Sequence, residues 1–249
     1  MASKTVHFQI KRQLTPQDKP YWEDFEISYR PGMNVIIALF EIQRNPVTKE
    51  GKTTTPIAWD CNCLEEVCGA CTMVINGKVR QSCTALIDKL EQPIRLEPMS
   101  KFPVIRDLRV NRQKMFDALK RVKAWIPIDG TYDLGPGPKL SQQDQQIGYE
   151  LSKCMTCGCC LEVCPQYNEK SNFIGVAAIS QARLFNLHPT GHMQQEERLD
   201  AMMGDGGIED CGNSQNCVEV CPKEIPLTTS LADMNRQTTL HGLKKLFRR

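Results

Sequence analysis

No hydrophobic run in these 249 residues approaches the roughly 20 apolar residues that a membrane-spanning helix needs; the longest are Val35–Phe40 and Phe173–Ile179. Charge of one sign is lacking too. There are 31 Lys and Arg against 29 Asp and Glu, a net charge of +2, so no overall field points to nucleic acid. The N-terminus shows neither the apolar core nor the small-residue cleavage site of a secretory signal. These absences predict a chain that is soluble and intracellular when alone. At 41% hydrophobic and 24% charged residues, composition is that of a globular protein, long enough for one large domain or two.

Cysteine is what the chain has in excess. The 13 cysteines stand in three groups: Cys61, Cys63, Cys68, Cys71 and Cys83; Cys154, Cys157, Cys159, Cys160 and Cys164; and Cys211, Cys217 and Cys221. An odd number in a chain without a secretory signal argues against a disulfide scaffold, and clustered thiols in a reducing compartment point to metal.

The first part reads as strands, one helix and turns. Val6, Phe8 and Ile10 alternate with polar residues, as do Phe25, Ile27 and Tyr29. Asn34 after the Pro31-Gly32 turn is placed to cap a helix over Val35–Ile42. Asn76-Gly77 between Thr72–Ile75 and Lys78–Ser82 is a hairpin signal. It sets Cys71 opposite Ser82 and returns Cys83 to the side of Cys71. From about Arg112 the pattern turns helical, with Met115, Leu119 and Val122 on one face. Asp129–Lys139 reads as a Gly/Pro-rich loop, and Ser141 with Asp144 as a capping box. Further helices are expected over Asn172–Leu187, Gln195–Met203 and Thr228–Phe247. The fold class is therefore α+β: a β domain over residues 1–105 and an all-helical domain over 106–249.

Cys63, Cys68, Cys71 and Cys83 form C-x4-C-x2-C-x11-C, the plant-type 2Fe–2S spacing with a fourth cysteine arriving from downstream. Gly69 and Ala70 are small enough for the backbone to approach the sulfides. A zinc knuckle is the competing reading, although Cys83 lacks the near partner such sites use. A Rieske centre needs two histidines, and none of the chain's four lies in this loop. Cys154, Cys157, Cys160 and Cys164-Pro165 form C-x2-C-x2-C-x3-C-P, a run whose last cysteine serves the other cluster in two-cluster proteins. Cys211, Cys217 and Cys221-Pro222 complete the exchange. One cluster, 4Fe–4S, takes Cys154, Cys157, Cys160 and Cys221. The other takes Cys164, Cys211 and Cys217, with Ser214 where a fourth cysteine would stand. Three thiolates fit a 3Fe–4S cluster; the alternative is a 4Fe–4S cluster completed by Ser214 or water. Cys61 and Cys159 are left over, read as small residues packed beside their clusters rather than as swapped ligands or redox-active thiols.

This arrangement resembles the iron–sulfur subunit of the succinate dehydrogenase/fumarate reductase family over essentially the whole chain. Asp60–Cys83, Pro103–Leu108 and Asp210–Cys217 with Cys221-Pro222-Lys223 carry the likeness. It implies a β-grasp ferredoxin domain followed by a helical ferredoxin domain. A partner flavoprotein holding FAD and the succinate site would pass electrons singly through 2Fe–2S, 4Fe–4S and 3Fe–4S to quinone at a membrane-anchor subunit. The same relay serves a fumarate reductase run in reverse, and no residue of this chain is implied in substrate chemistry. Two tryptophans that follow the Cys-Pro in the mitochondrial and enterobacterial branch are replaced by Gln166-Tyr167-Asn168-Glu169, and a histidine by Gly212. Cys211–Cys221 and Ser180–Gly191 are more similar to the Bacillus-type branch. That branch implies a dihaem cytochrome b anchor, menaquinone, and a peripheral position on the cytoplasmic face of a bacterial membrane.

Other features have blander readings. Tyr167 is expected to pack rather than touch quinone, and Asp60, Glu65 and Glu66 to form a solvated acidic loop. Lys244, Lys245, Arg248 and Arg249 are expected to oppose the dipole of a helix C-terminus rather than meet lipid. Rival functions are a heterodisulfide reductase or glycolate oxidase type of iron–sulfur subunit, a freestanding ferredoxin, and a zinc structural protein.

Overall fold

Alternation in β1 (Thr5–Arg12) sends Val6, Phe8, Ile10 and Arg12 to one buried face. β2 (Tyr21–Ser28) pairs antiparallel with it, Phe25 opposite Phe8. α1 (Val35–Arg44) starts where the Asn34 side chain accepts a hydrogen bond from the Ile37 N–H at 2.9 Å, and it runs two residues beyond the expected Ile42. It lays Val35, Ala38, Leu39 and Ile42 into the same core as β1. β3 (Thr72–Ile75) and β4 (Lys78–Gln81) form the expected hairpin, with Asn76 and Gly77 at φ of +48° and +77° in its turn. β5 (Ile94–Glu97) lies parallel to β1 and antiparallel to β3, giving the sheet order β2-β1-β5-β3-β4. β6 (Val104–Arg106) and β7 (Arg109–Val110) form a separate ribbon.

Arg12 ends the buried face of β1 with a charge. Its Nε donates to Asp107 at 2.9 Å, a second nitrogen pairs with Glu23, and a third donates to the Thr55 carbonyl at 2.9 Å. Asp107 in turn accepts from the Ala58 N–H at 2.8 Å and the Gln13 N–H at 3.1 Å. The Arg12 and Asp107 side chains are both 0% exposed, so this network rather than water satisfies their charges, with Glu23 a second carboxylate partner of Arg12. This network fixes the segment that leads into the first cysteine loop.

The remaining elements are helices: α2 (Gln113–Arg121), α3 (Gln142–Ser152), α4 (Cys159–Glu162), α5 (Gly175–Leu187), α6 (Gln195–Met203), α7 (Asn216–Glu219) and α8 (Leu227–Phe247). The computed structural model describes residues 4–127 and 139–247. The expected loop over Asp129–Lys139, apart from Lys139, lies outside the described residues, as do Arg248 and Arg249. Two compact units emerge, Met1–Arg112 with Met155–Glu162, and Gln113–Cys154 with Val163–Arg249. The short α4 thus belongs to the first unit.

Ser141 caps α3 through Asp144, its Oγ 3.0 Å from the Asp144 N–H. α5 begins three residues later than its pattern predicts. Asn168 and Ser171 side chains take the N–H groups of Lys170, Ser171 and Phe173, a local alternative to helix. α5 packs on α8 through matched polar pairs: Arg183 with Asp233 at 2.9 Å and Asn186 with Gln237 at 3.3 Å. The buried guanidinium of Arg198 on α6 donates to the carbonyls of Lys123 and Trp125, each at 2.9 Å, and so closes the chain after α2. Among the described residues, no helix is long and apolar enough to cross a membrane.

Candidate metal centres

Left-handed backbone concentrates in the cysteine loops. Leu64, Glu66 and Gly69 in the first loop, Thr156 and Gly158 in the second, and Asn213 and Gln215 in the third all have φ between +50° and +88°. Alternating left- and right-handed residues turn successive N–H groups to one side, which makes a concavity for negative charge. The first loop does this around its sulfurs. Cys63 Sγ accepts from the N–H groups of Glu65 at 3.5 Å and of Val67 and Cys68 at 3.3 Å. Cys68 Sγ accepts from the Ala70 and Cys63 N–H groups at 3.4 and 3.5 Å.

These donors lower the Cys63 pKa to about 7, the Glu65 and Val67 N–H groups contributing most. Cys83 lies at the other extreme. Burial and the neighbouring Cys71 push it up to about 12. The hairpin returns it as its turn predicts: the Ser82 N–H donates to the Cys71 carbonyl at 3.3 Å. Cys61 packs with Ile36, Cys71 and Cys83. Cys63, Cys68 and Cys71 thus share one loop, whose backbone favours anionic sulfur at Cys63 and Cys68, and the hairpin sets Cys83 beside Cys71, a donor set that fits a 2Fe–2S cluster.

Of the second set, Cys157 and Cys160 lie in the first unit, and Cys154 and Cys221 in the second. The segment carrying Cys157 is held by three anchors. Glu162 accepts from Ser100 N–H and Oγ at 2.8 and 2.6 Å and from Lys101 N–H at 3.0 Å. Gly158 sits against Phe102, where an added Cβ would come within 3.3 Å of the ring. Arg112 donates to the carbonyls of Gly69 at 2.7 Å, Ala70 at 2.8 Å and Cys157 at 3.4 Å. Cys157 is lowered to about 7, chiefly by a hydrogen bond from the Cys159 side chain and in spite of burial.

The third set lies in the second unit. Cys164, Cys211 and Cys217 line one recess with Ser214, Gly212 and Phe173. Burial and then the adjacent Cys164 and Cys211 raise the Cys217 pKa. Three thiols and one hydroxyl around a single recess fit a cluster with one ligand position lacking a thiol. Tyr167 is fully buried, with Lys114 Nζ 4.9 Å from its ring centroid, so its ring packs in the interior.

No disulfide joins any of the thirteen cysteines. Among the described residues, no three His, Cys, Asp or Glu side chains converge on a point that would hold a single metal ion. Arg112, Glu162, Gln81 and Thr72, which tie the loops of the first unit together, carry no motif and escaped the sequence reading.

Comparison with known proteins finds cluster-binding domains over both halves of the chain. Residues 7–117 match the model of a 2Fe–2S iron–sulfur cluster binding domain, and residues 150–225 that of a 4Fe–4S dicluster domain. The chain is 66% identical over 244 residues to the succinate dehydrogenase iron–sulfur subunit of Bacillus subtilis, covering 98% of this chain and 96% of that one. It is 28% identical over 223 residues to the fumarate reductase iron–sulfur subunit of Wolinella succinogenes, covering 88% and 90%. Its fold matches a chain of the Mycobacterium smegmatis Sdh1 complex solved in the apo form, with a TM-score of 0.76, 24% identity, and coverage of 95% and 96%.

Proposed function

This chain belongs to the iron–sulfur subunits of the succinate dehydrogenase and fumarate reductase family, and on that premise we propose how its cysteines divide the work of an electron relay. Cys63, Cys68, Cys71 and Cys83 hold a 2Fe–2S cluster. Cys154, Cys157, Cys160 and Cys221 hold a 4Fe–4S cluster, and Cys164, Cys211 and Cys217 a 3Fe–4S cluster. When bound, the clusters supply one-electron steps between the FAD of a partner flavoprotein and a quinone at a membrane anchor. The chain's own residues hold, polarise and desolvate these sites. N–H groups of Glu65, Val67, Cys68 and Ala70 favour anionic sulfur, and the burial of Cys71, Cys83 and Cys217 keeps water from their thiolates. No residue of this chain acts on the dicarboxylate.

The observation that carries the three-cluster reading is the recess lined by Cys164, Cys211, Cys217 and Ser214. Succinate oxidation is the physiological direction, supported by the closer likeness to a succinate dehydrogenase subunit. The anchor is a dihaem cytochrome b that works with menaquinone, and it holds this chain peripherally on the cytoplasmic face of a bacterial membrane. Gly212 and the Asn168-Glu169 pair, standing where the ubiquinone-linked branch has its histidine and tryptophans, support this. Purification from native membranes tests the assembly. A co-purifying flavoprotein, a cytochrome with two haems b, and preference for a menaquinone analogue are expected. A single unpartnered chain or a haem-free anchor would overturn it.

A further inference from the structure

The buried amide of Gln81 lies between two cysteine loops of the first unit. One of its terminal atoms is 3.0 Å from Thr72 Oγ1 and 3.7 Å from Cys71 Sγ; the other is 3.4 Å from Cys159 Sγ. Gln81 is 1% exposed, Thr72 3% and Cys159 0%, so no water competes for these contacts.

Proton accounting decides which end of the amide is which. The Thr72 hydroxyl has one proton and lies 2.8 Å from the Gly69 carbonyl, which can only accept. That proton therefore goes to Gly69, and the amide atom beside Thr72 must be the NH2 group, donating to the hydroxyl oxygen. The second N–H of the same group is then directed at Cys71 Sγ. The opposite choice would set the amide oxygen against a sulfur that has lost its proton once it ligates iron, with no attraction between them. The amide oxygen instead faces Cys159 at 3.4 Å, whose single thiol proton it accepts once the Cys157 sulfur, the competing acceptor, is taken up by a cluster.

From this we propose that Gln81 is a positioning residue that tunes the first cluster, its N–H donating to the Cys71 ligand sulfur. Thr72 orients the amide from one side and Cys159 from the other. The inference rests on the assignment of Cys71 as a ligand. A hydrogen bond to ligand sulfur favours the reduced, more negative state and raises the reduction potential. Cys159, which completes no cluster motif, thereby acquires a role: it anchors the far end of the amide.

The test is an EPR-monitored redox titration of the first cluster in the whole complex, comparing wild type with Gln81→Leu, Gln81→Glu, Cys159→Ala and Cys159→Ser. Gln81→Leu is expected to make reduction of the first cluster roughly tenfold less favourable, a fall of about 59 mV for one electron. Gln81→Glu, which keeps the shape but not the N–H donors, should lower the potential at least as far. Cys159→Ala should move it in the same direction by less, and Cys159→Ser, which keeps a donor, should restore the wild-type value. A cluster present at the wild-type potential in both Gln81 variants overturns the proposal. So does loss of the cluster from both, since Gln81 would then serve assembly rather than potential. A wild-type complex without a reduced-state 2Fe–2S signal would instead refute the ligand assignment beneath it.

Discussion

Gly69→Ala measures how closely the two cysteine loops of the first unit are packed. Gly69 has a φ of +69°, and a Cβ there would lie 2.7 Å from Cys157 Cα, 2.8 Å from Cys157 Cβ and 2.9 Å from the Met155 carbonyl oxygen. Two costs arise. The left-handed backbone penalises any Cβ by roughly 1–2 kcal/mol. Forcing backbone away from backbone adds roughly 1–3 kcal/mol, as overpacking does elsewhere. Gly77→Ala separates them, because Gly77 has a φ of +77° and nothing within 4 Å of its Cβ position. It should suffer the first cost alone. The difference between the two variants is then roughly 1–3 kcal/mol, or about 2–12 °C in unfolding midpoint for a chain of this size. Thermal unfolding followed by loss of cluster absorbance is the assay, with Gly69→Ala expected to bleach first. Equal midpoints for the two variants would refute the close approach of Gly69 to Cys157.

Cys83→Ala should abolish the 2Fe–2S signal or make it labile while the other two clusters persist, whereas Cys61→Ala should keep all three and cost on the order of 1 kcal/mol of stability; EPR and thermal unfolding read both. Ser214→Cys restores C-x2-C-x2-C-x3-C-P and should convert the last cluster to 4Fe–4S, removing the oxidised-state signal. A potential lowered by roughly 200 mV would disfavour electron arrival on the order of a thousandfold and slow quinone reduction. Asp200 is lowered by its hydrogen bond to Lys245, against burial, with His241 assisting. Its contribution to stability is therefore complete above the unfolded carboxyl value of about 3.9 and is lost as pH falls below it. Asp200→Asn should flatten the acid side of the stability profile, as followed by unfolding midpoint against pH.

What the sequence discloses is what local chemistry determines. Asn76-Gly77 predicts the hairpin that returns Cys83 to Cys71, and Asn34 and Ser141 cap the helices they precede. The start of α5 is misread because Asn168 and Ser171 bind their own backbone, an option that apolar periodicity does not register. Arg112 and Glu162 act on partners 42 to 62 positions away, and Gln81 reaches Cys159 78 positions away in addition to its hairpin neighbours; no local pattern marks these long-range partners. The same holds for Arg12, whose period-2 position suggests an apolar residue until Asp107, 95 positions later, is placed beside it. Cysteine spacing is the exception among long-range features. It is legible because cluster chemistry prescribes ligand number and separation.

Three different clusters on eleven of the thirteen cysteines would give this chain three separate redox centres. An EPR-monitored redox titration of the purified complex tests this most directly. Three centres are expected: one paramagnetic when oxidised that loses this signal on reduction, and two that appear only on reduction, one from the 2Fe–2S and one from the 4Fe–4S site. Absence of any oxidised-state signal from an intact, fully loaded complex would contradict the three-thiolate site at Cys164, Cys211 and Cys217.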